Sequence, residues 1–202
     1  MKICKLLLAV ASAGLLLAAL GSAASARRLS FSSNAPTTSF RELRFVSDLG
    51  SSTCPVTLEG SLHVNTISKV AESLIGSITR TRLGFCQIGT ATIPAETLPW
   101  HVRYSSFGGL LPAISRVNVN IIGFTMKYRD TSIGLLCTIR STATEPLIGT
   151  YNVSGGVITG ESVSGTIATT FEECIGKQFI FSSDAGAVVA LGTTTRVTIR
   201  LI

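Results

Sequence analysis

Eleven consecutive residues, Thr97-Leu98-Pro99-Trp100-His101-Val102-Arg103-Tyr104-Ser105-Ser106-Phe107, hold the only Trp of the chain, one of its two His, an Arg and a Tyr. These types can bind. Trp100 and Tyr104 offer a stacking platform for a sugar or an apolar ligand, with His101 and Arg103 as polar contacts. The spacing argues for a different use. From Trp100 to Tyr104 the large apolar side chains fall on even positions and the polar ones on odd, and an extended strand sends those two sets to opposite faces. The expectation is two core aromatics behind an exposed polar pair. Trp100, His101, Arg103 and Tyr104 remain the candidate ligand contacts.

Other chemistry has less to work with. Nucleophilic hydrolysis needs a Ser or Thr beside a base that a third group orients. His63 and His101 are the only imidazoles, Asp48, Asp130 and Asp184 are possible orienters, and there is no G-x-S-x-G elbow. Glycoside chemistry needs two carboxyls facing one cleft. Glu172 and Glu173 are adjacent, so a strand would point them apart. No C-x-x-C pair, Asp-rich loop or phosphate loop occurs. The sequence therefore predicts no catalytic residue, no metal ligand and no cofactor. Asn152-Val153-Ser154 is a glycosylation sequon, relevant only in a eukaryotic secretory route.

Cysteine carries a stronger message. Beyond Cys4 the chain has Cys54, Cys86, Cys137 and Cys174, an even number that in an exported protein reads as disulfides. Three pairings are possible. Cys54–Cys86 with Cys137–Cys174 is favoured, since sequential segments usually pack together.

The elements that carry these residues read as strands. Val117, Val119 and Ile121 alternate with polar residues on odd positions. Phe124, Met126 and Tyr128 do so on even ones. The phase flips near Ile122-Gly123, which predicts one long bent strand over 116–129 with a β-bulge at Gly123. Further strands are expected over 44–47, 55–64, 84–93, 134–141, 148–153, 156–161, 164–170, 178–182, 187–191 and 195–202. Residues 68–75 form the one candidate helix. Residues 27–40 are polar, carry Pro36 and read as a mobile leader ahead of a single domain over 41–202. Short strands at this spacing predict an all-β fold, an antiparallel sandwich or barrel stapled by two disulfides. A transmembrane barrel is disfavoured by only 6% aromatic residues, too few for two girdles.

The N-terminus has the three parts of a secretory signal peptide. Lys2 and Lys5 precede an apolar run from Leu6 to Leu20, and small residues up to Ala26 offer a cleavage site. The run is about 15 residues, short of the roughly 20 a spanning helix needs, although Arg27 and Arg28 leave an uncleaved anchor open. The chain's 17 basic and 11 acidic residues give +6, and loss of Lys2 and Lys5 leaves +4. So weak an excess does not mark a nucleic-acid partner. It is uneven, though: residues 101–140 hold Arg103, Arg116, Lys127, Arg129 and Arg140 against Asp130 alone, and residues 141–190 hold Glu145, Glu161, Glu172, Glu173 and Asp184 against Lys177 alone. The expectation is that the two neutralise each other across neighbouring strands rather than make a two-faced surface.

The succession Cys54-Pro55-Val56-Thr57-Leu58, Leu74-Ile75-Gly76, Cys86, Thr97-Leu98-Pro99-Trp100-His101-Val102 and Leu111-Pro112 resembles uncharacterised exported bacterial β-rich proteins over most of residues 45–202. That resemblance implies export, paired cysteines and a β fold, and supplies no catalytic residue. The Cys…Cys…Leu-Pro-Trp succession is also similar to small secreted proteins of the alkane-oxidation activator type, linked with cell-surface hydrophobicity. The sequence thus points to a secreted or extracytoplasmic, non-enzymatic protein acting by surface contacts, its partner unnamed. A carbohydrate- or apolar-ligand-binding module is the alternative, and an unrecognised hydrolase comes third.

Overall fold

A computed structural model describes residues 28–48, 50–131, 134–168, 174 and 177–202. The expected signal segment over 1–26 and the Glu172–Glu173 pair lie outside them. The strands are β1 (Arg28–Phe31), β2 (Pro36–Ser47), β3 (Gly50–Leu62), β4 (Thr66–Ser68), β5 (Leu74–Leu83), β6 (Thr90–Thr92), β7 (Trp100–Gly108), β8 (Arg116–Ile122), β9 (Thr125–Arg129), β10 (Leu136–Arg140), β11 (Leu147–Ser154), β12 (Val157–Ala168), β13 (Gln178–Ser183), β14 (Ala187–Ala190) and β15 (Ile199–Leu201). The fold is all-β.

Among the described residues a nine-stranded sheet runs β13-β12-β11-β8-β7-β5-β3-β2-β14, and β13 also pairs with β2. That pairing, Ile180↔Val46 to Ser183↔Leu43, closes every strand but β14 into an antiparallel barrel. β14 continues along the other half of β2. Chain order follows ring order, so the barrel is up-and-down, and closure removes the unpaired edges an open sheet would present.

Among the described residues two small sheets cap the barrel, one at each end. Trp100, Ile122, Leu147, Ala168, Gln178, Ser47, Gly50 and Leu83 all sit at or near the same end by register. There the sheet β10-β9-β6 turns Met126, Tyr128 and Ile139 into the core. The Tyr128 ring meets Phe45 edge-on at 4.7 Å. The sheet β15-β1-β4 closes the opposite end with Leu29, Ile67 and Ile199 buried.

Several expectations change. Residues 28–40 are no leader: Leu29 and Phe40 are core residues, and β1 and the start of β2 belong to the domain. A polar pattern misled because the buried positions there are Leu29, Phe31, Thr38 and Phe40 among Ser, Thr and Pro. The proposed helix over 68–75 is the end of β4, a turn and the start of β5. The strand expected over 84–93 is a loop followed by the short β6, and the strand beside it, β5, lacked a clean period. Register shifts at Glu59/Gly60 and Leu74/Gly76 interrupt its alternation. Residues 156–161 and 164 onward form one strand, β12.

The phase flip at Ile122-Gly123 is real, but it is a corner rather than a bulge. β8 lies in the barrel wall and β9 in the end sheet, so the chain leaves one sheet for the other. Gly123 makes the corner at φ +89°. Ser141, itself buried, clasps it: its hydroxyl donates to the Ile121 carbonyl and accepts the Phe124 N–H, each at 3.0 Å. A Cβ on Gly123 would have room, its nearest neighbour being Trp100 Cδ1 at 3.9 Å, so Gly123→Ala costs only backbone strain. A loss of about 1–2 kcal/mol in urea unfolding is expected, and an unchanged midpoint would contradict the corner.

Both predicted disulfides are present. Cys54–Cys86 ties β3 to the 84–89 loop, with Cα atoms 4.2 Å apart, and Cys137–Cys174 ties β10 to the segment before β13, at 5.4 Å.

Candidate functional site

The barrel interior is the first place to look, because small barrels can hold a ligand. Here side chains fill it. Phe40, Leu43, Val56, Leu58, Ile78, Trp100, Ile121, Phe124, Leu147 and Val163 surround a residual void of about 10 Å³, room for no more than a single water. Trp100 packs edge-on against Phe124 at 5.0 Å, and Phe124 against Phe181 at 5.4 Å. The outward positions carry Arg44, Arg80, Arg82 and Asn118, the reverse of the faces a membrane-spanning barrel needs.

The candidate contacts separate as their alternation requires. Trp100 and Tyr104 are 1% and 2% exposed, so neither can stack on a ligand. His101 and Arg103 face outward and are also apart in use. Arg103 lies 3.9 Å from the Glu72 carboxylate, which takes a 2.8 Å hydrogen bond from the Asn120 amide. Glu72 holds a left-handed backbone at φ +62°. His101 instead borders a groove.

That groove, about 620 Å³, runs along the seam between the barrel wall and β10. His101, Ile122, Thr138, Arg140, Thr142 and Thr144 line it, and Ser141 and Gly123 form its floor. Its far rim is a tight turn. The Thr142 hydroxyl accepts the Glu145 N–H at 3.1 Å and shares a hydrogen bond with Thr144 at 3.0 Å. The Glu145 carboxylate accepts the Ala168 N–H at 3.0 Å. The walls therefore present hydroxyls, an imidazole and a guanidinium, with the Glu145 carboxylate at the rim.

On the other side of the same end sheet lies a second groove of about 270 Å³, lined by Leu83, Gly84, Phe85, Cys86, Gly89, Thr90 and Ala91. Phe85 is 100% exposed, on a loop that the Cys54–Cys86 bridge anchors to β3. The sequence reading missed Phe85 because it sat inside an expected strand. Its only clue was its place between Gly84 and a bridged Cys.

Register aligns His101 through Ser77 with Ser61, two residues before His63, and among the described residues neither imidazole bonds to an acid. Asp184 accepts the Arg41 and Glu42 N–H groups, and Asp48 pairs with Lys177. One carboxyl is unusual. Glu161 is 3% exposed inside the barrel, accepts the Thr38 hydroxyl at 2.5 Å and is hydrogen-bonded by Tyr151. Burial pushes its pKa up to about 7, against the lowering effect of the two hydroxyls, and burial with the Glu161 charge raises Tyr151 well above its ordinary range. Gly149 leaves the space: a Cβ there would stand 3.1 Å from Glu161 Oε1.

No protein-family model, curated protein or solved structure matches this chain.

Proposed function

We propose that this chain is an exported, non-enzymatic carbohydrate-binding protein that meets its ligand on the outer side of the β10-β9-β6 end of the barrel. The observation that carries this reading is where the accessible space lies. The lumen around Trp100 is packed, while a hydroxyl-lined groove and a mainly apolar one carrying Thr90 flank one small sheet, and a fully exposed ring stands beside the second. Sugars present an apolar ring face and a rim of hydroxyls, so an exposed aromatic next to Thr side chains matches both. A single exposed apolar residue is ordinary on protein surfaces. A ring held on a disulfide-tied loop is better placed to bind than one on a loose loop, because less freedom is lost on binding. Export is supported by the two bridges, which fit an oxidising, extracytoplasmic compartment.

Oligosaccharide titration by calorimetry tests this. Phe85→Ala should weaken binding at least about tenfold, roughly 1.4 kcal/mol, with the melting temperature unchanged because the ring buries nothing in the fold. Equal affinity of the variant, or no saccharide binding by the native protein, would overturn the reading.

A further inference from the structure

The outer face of the β10-β9-β6 sheet joins the two grooves, and among the described residues its charged side chains are cations. Register places Lys127 opposite both Thr138 and Thr92, and Arg129 opposite Thr90. Residues opposite each other on antiparallel strands share a face, and Arg140, two residues beyond Thr138, falls on the same one. Lys127, Arg129 and Arg140 are all exposed, and among the described residues none forms an ion pair with a carboxylate. Asp130 points away and is buried, Asp48 is paired with Lys177, and Glu145 is engaged by the Ala168 N–H. Glu96 stands outside the face, on the short 3₁₀ turn before β7. Part of the basic stretch over 101–140 is thus gathered on one small sheet, between rows of threonine hydroxyls.

We infer that this face binds an acidic polysaccharide, a polymer of carboxylated or sulfated sugars, laid across the sheet from Phe85 to the His101 groove. The inference rests on the carbohydrate reading above and names its ligand class. Three observations select this occupant. The cations are spread along an open sheet rather than gathered in a pocket, which suits an extended chain of charges more than a small anion. Three cations are few for a nucleic-acid duplex, where binding engages about 6–10 phosphates. Beyond Phe85, and Leu136 opposite Arg129, the face is Thr, Lys and Arg, without the broad apolar area that interfacial insertion into lipid requires.

The test uses the mature protein with alginate, dextran, a DNA duplex and phosphatidylglycerol vesicles as probes, each titrated at about 50 and about 300 mM salt. Alginate should bind best and weaken with salt. The triple variant Lys127→Ser, Arg129→Ser, Arg140→Ser should lose about 10- to 100-fold in alginate affinity while its melting temperature and any dextran binding stay unchanged. Dextran binding that needs Phe85, together with alginate binding no tighter than dextran or indifferent to the triple variant, would overturn the inference and leave the carbohydrate reading standing. No binding to either glycan would overturn both. Stronger binding to the duplex or the vesicles than to alginate would also overturn the inference.

Discussion

Glu161→Gln is expected to remove a pH dependence of about 3 kcal/mol from the stability of this protein. Glu161 ionises near 7 in the folded state but near the ordinary carboxyl value once unfolded. Below about 4.5 both states hold the proton and the group has no effect on the balance. Between about 4.5 and 7 the unfolded chain releases its proton while the barrel keeps it, so stability falls as pH rises. Above 7 both states are ionised and the loss levels off, at about 1.4 kcal/mol for each unit separating the two values. Gln fills nearly the same volume between Thr38, Tyr151 and Gly149, and it does not titrate. Urea midpoints of the two proteins across pH 4 to 8, on the order of that window, should therefore diverge as pH rises, with the variant ahead at the alkaline end. Taking the difference between the proteins cancels every other titrating group. Parallel curves would show that Glu161 is not desolvated as described.

The second large effect concerns the two bridges. Cys54–Cys86 and Cys137–Cys174 span 32 and 37 residues of chain. Closing loops of that length in the unfolded state is worth about 3.5–4 kcal/mol each. Cys54→Ala with Cys86→Ala, or Cys137→Ala with Cys174→Ala, should each lower stability by about that amount. Removing both pairs withdraws about 7 kcal/mol, comparable with the 5–15 kcal/mol net stability of an ordinary domain, and the quadruple variant should be unfolded at physiological temperature. A paired variant that lost less than about 1 kcal/mol would contradict the account. The Cys54–Cys86 deletion should also weaken glycan binding more than the other, because it releases the loop that carries Phe85.

These predictions draw on features of unequal visibility in the sequence. Even-numbered cysteines and sequential pairing gave the bridges. Alternation gave the inward faces of β7, β8 and β9, including the burial of Trp100 and Tyr104, because a strand with one buried face has a strict period of two. Three kinds of information were hidden. β5 was lost because irregular pairing opposite Gly60 and Gly76 shifts its phase partway along. The corner at Gly123 and a bulge there produce the same flip, and only the partner strands distinguish them. Glu161 looked like any strand acid. What makes it unusual is Gly149 on the neighbouring strand, a relation that no local pattern contains. The basic face was half visible: composition showed the excess over 101–140, but not that β6, β9 and β10 set its cations between threonines on one face.

The central claim is that ligand meets the outer end sheet and not the barrel lumen. An amide ¹⁵N–¹H titration of the mature protein with an alginate oligosaccharide tests it most directly. Shifts should concentrate over residues 85–92, 127–129 and 138–145, with the lumen-facing amides of Val119, Val163 and Phe181 undisturbed. Shifts centred on those lumen positions, or on the β15-β1-β4 end, would contradict it.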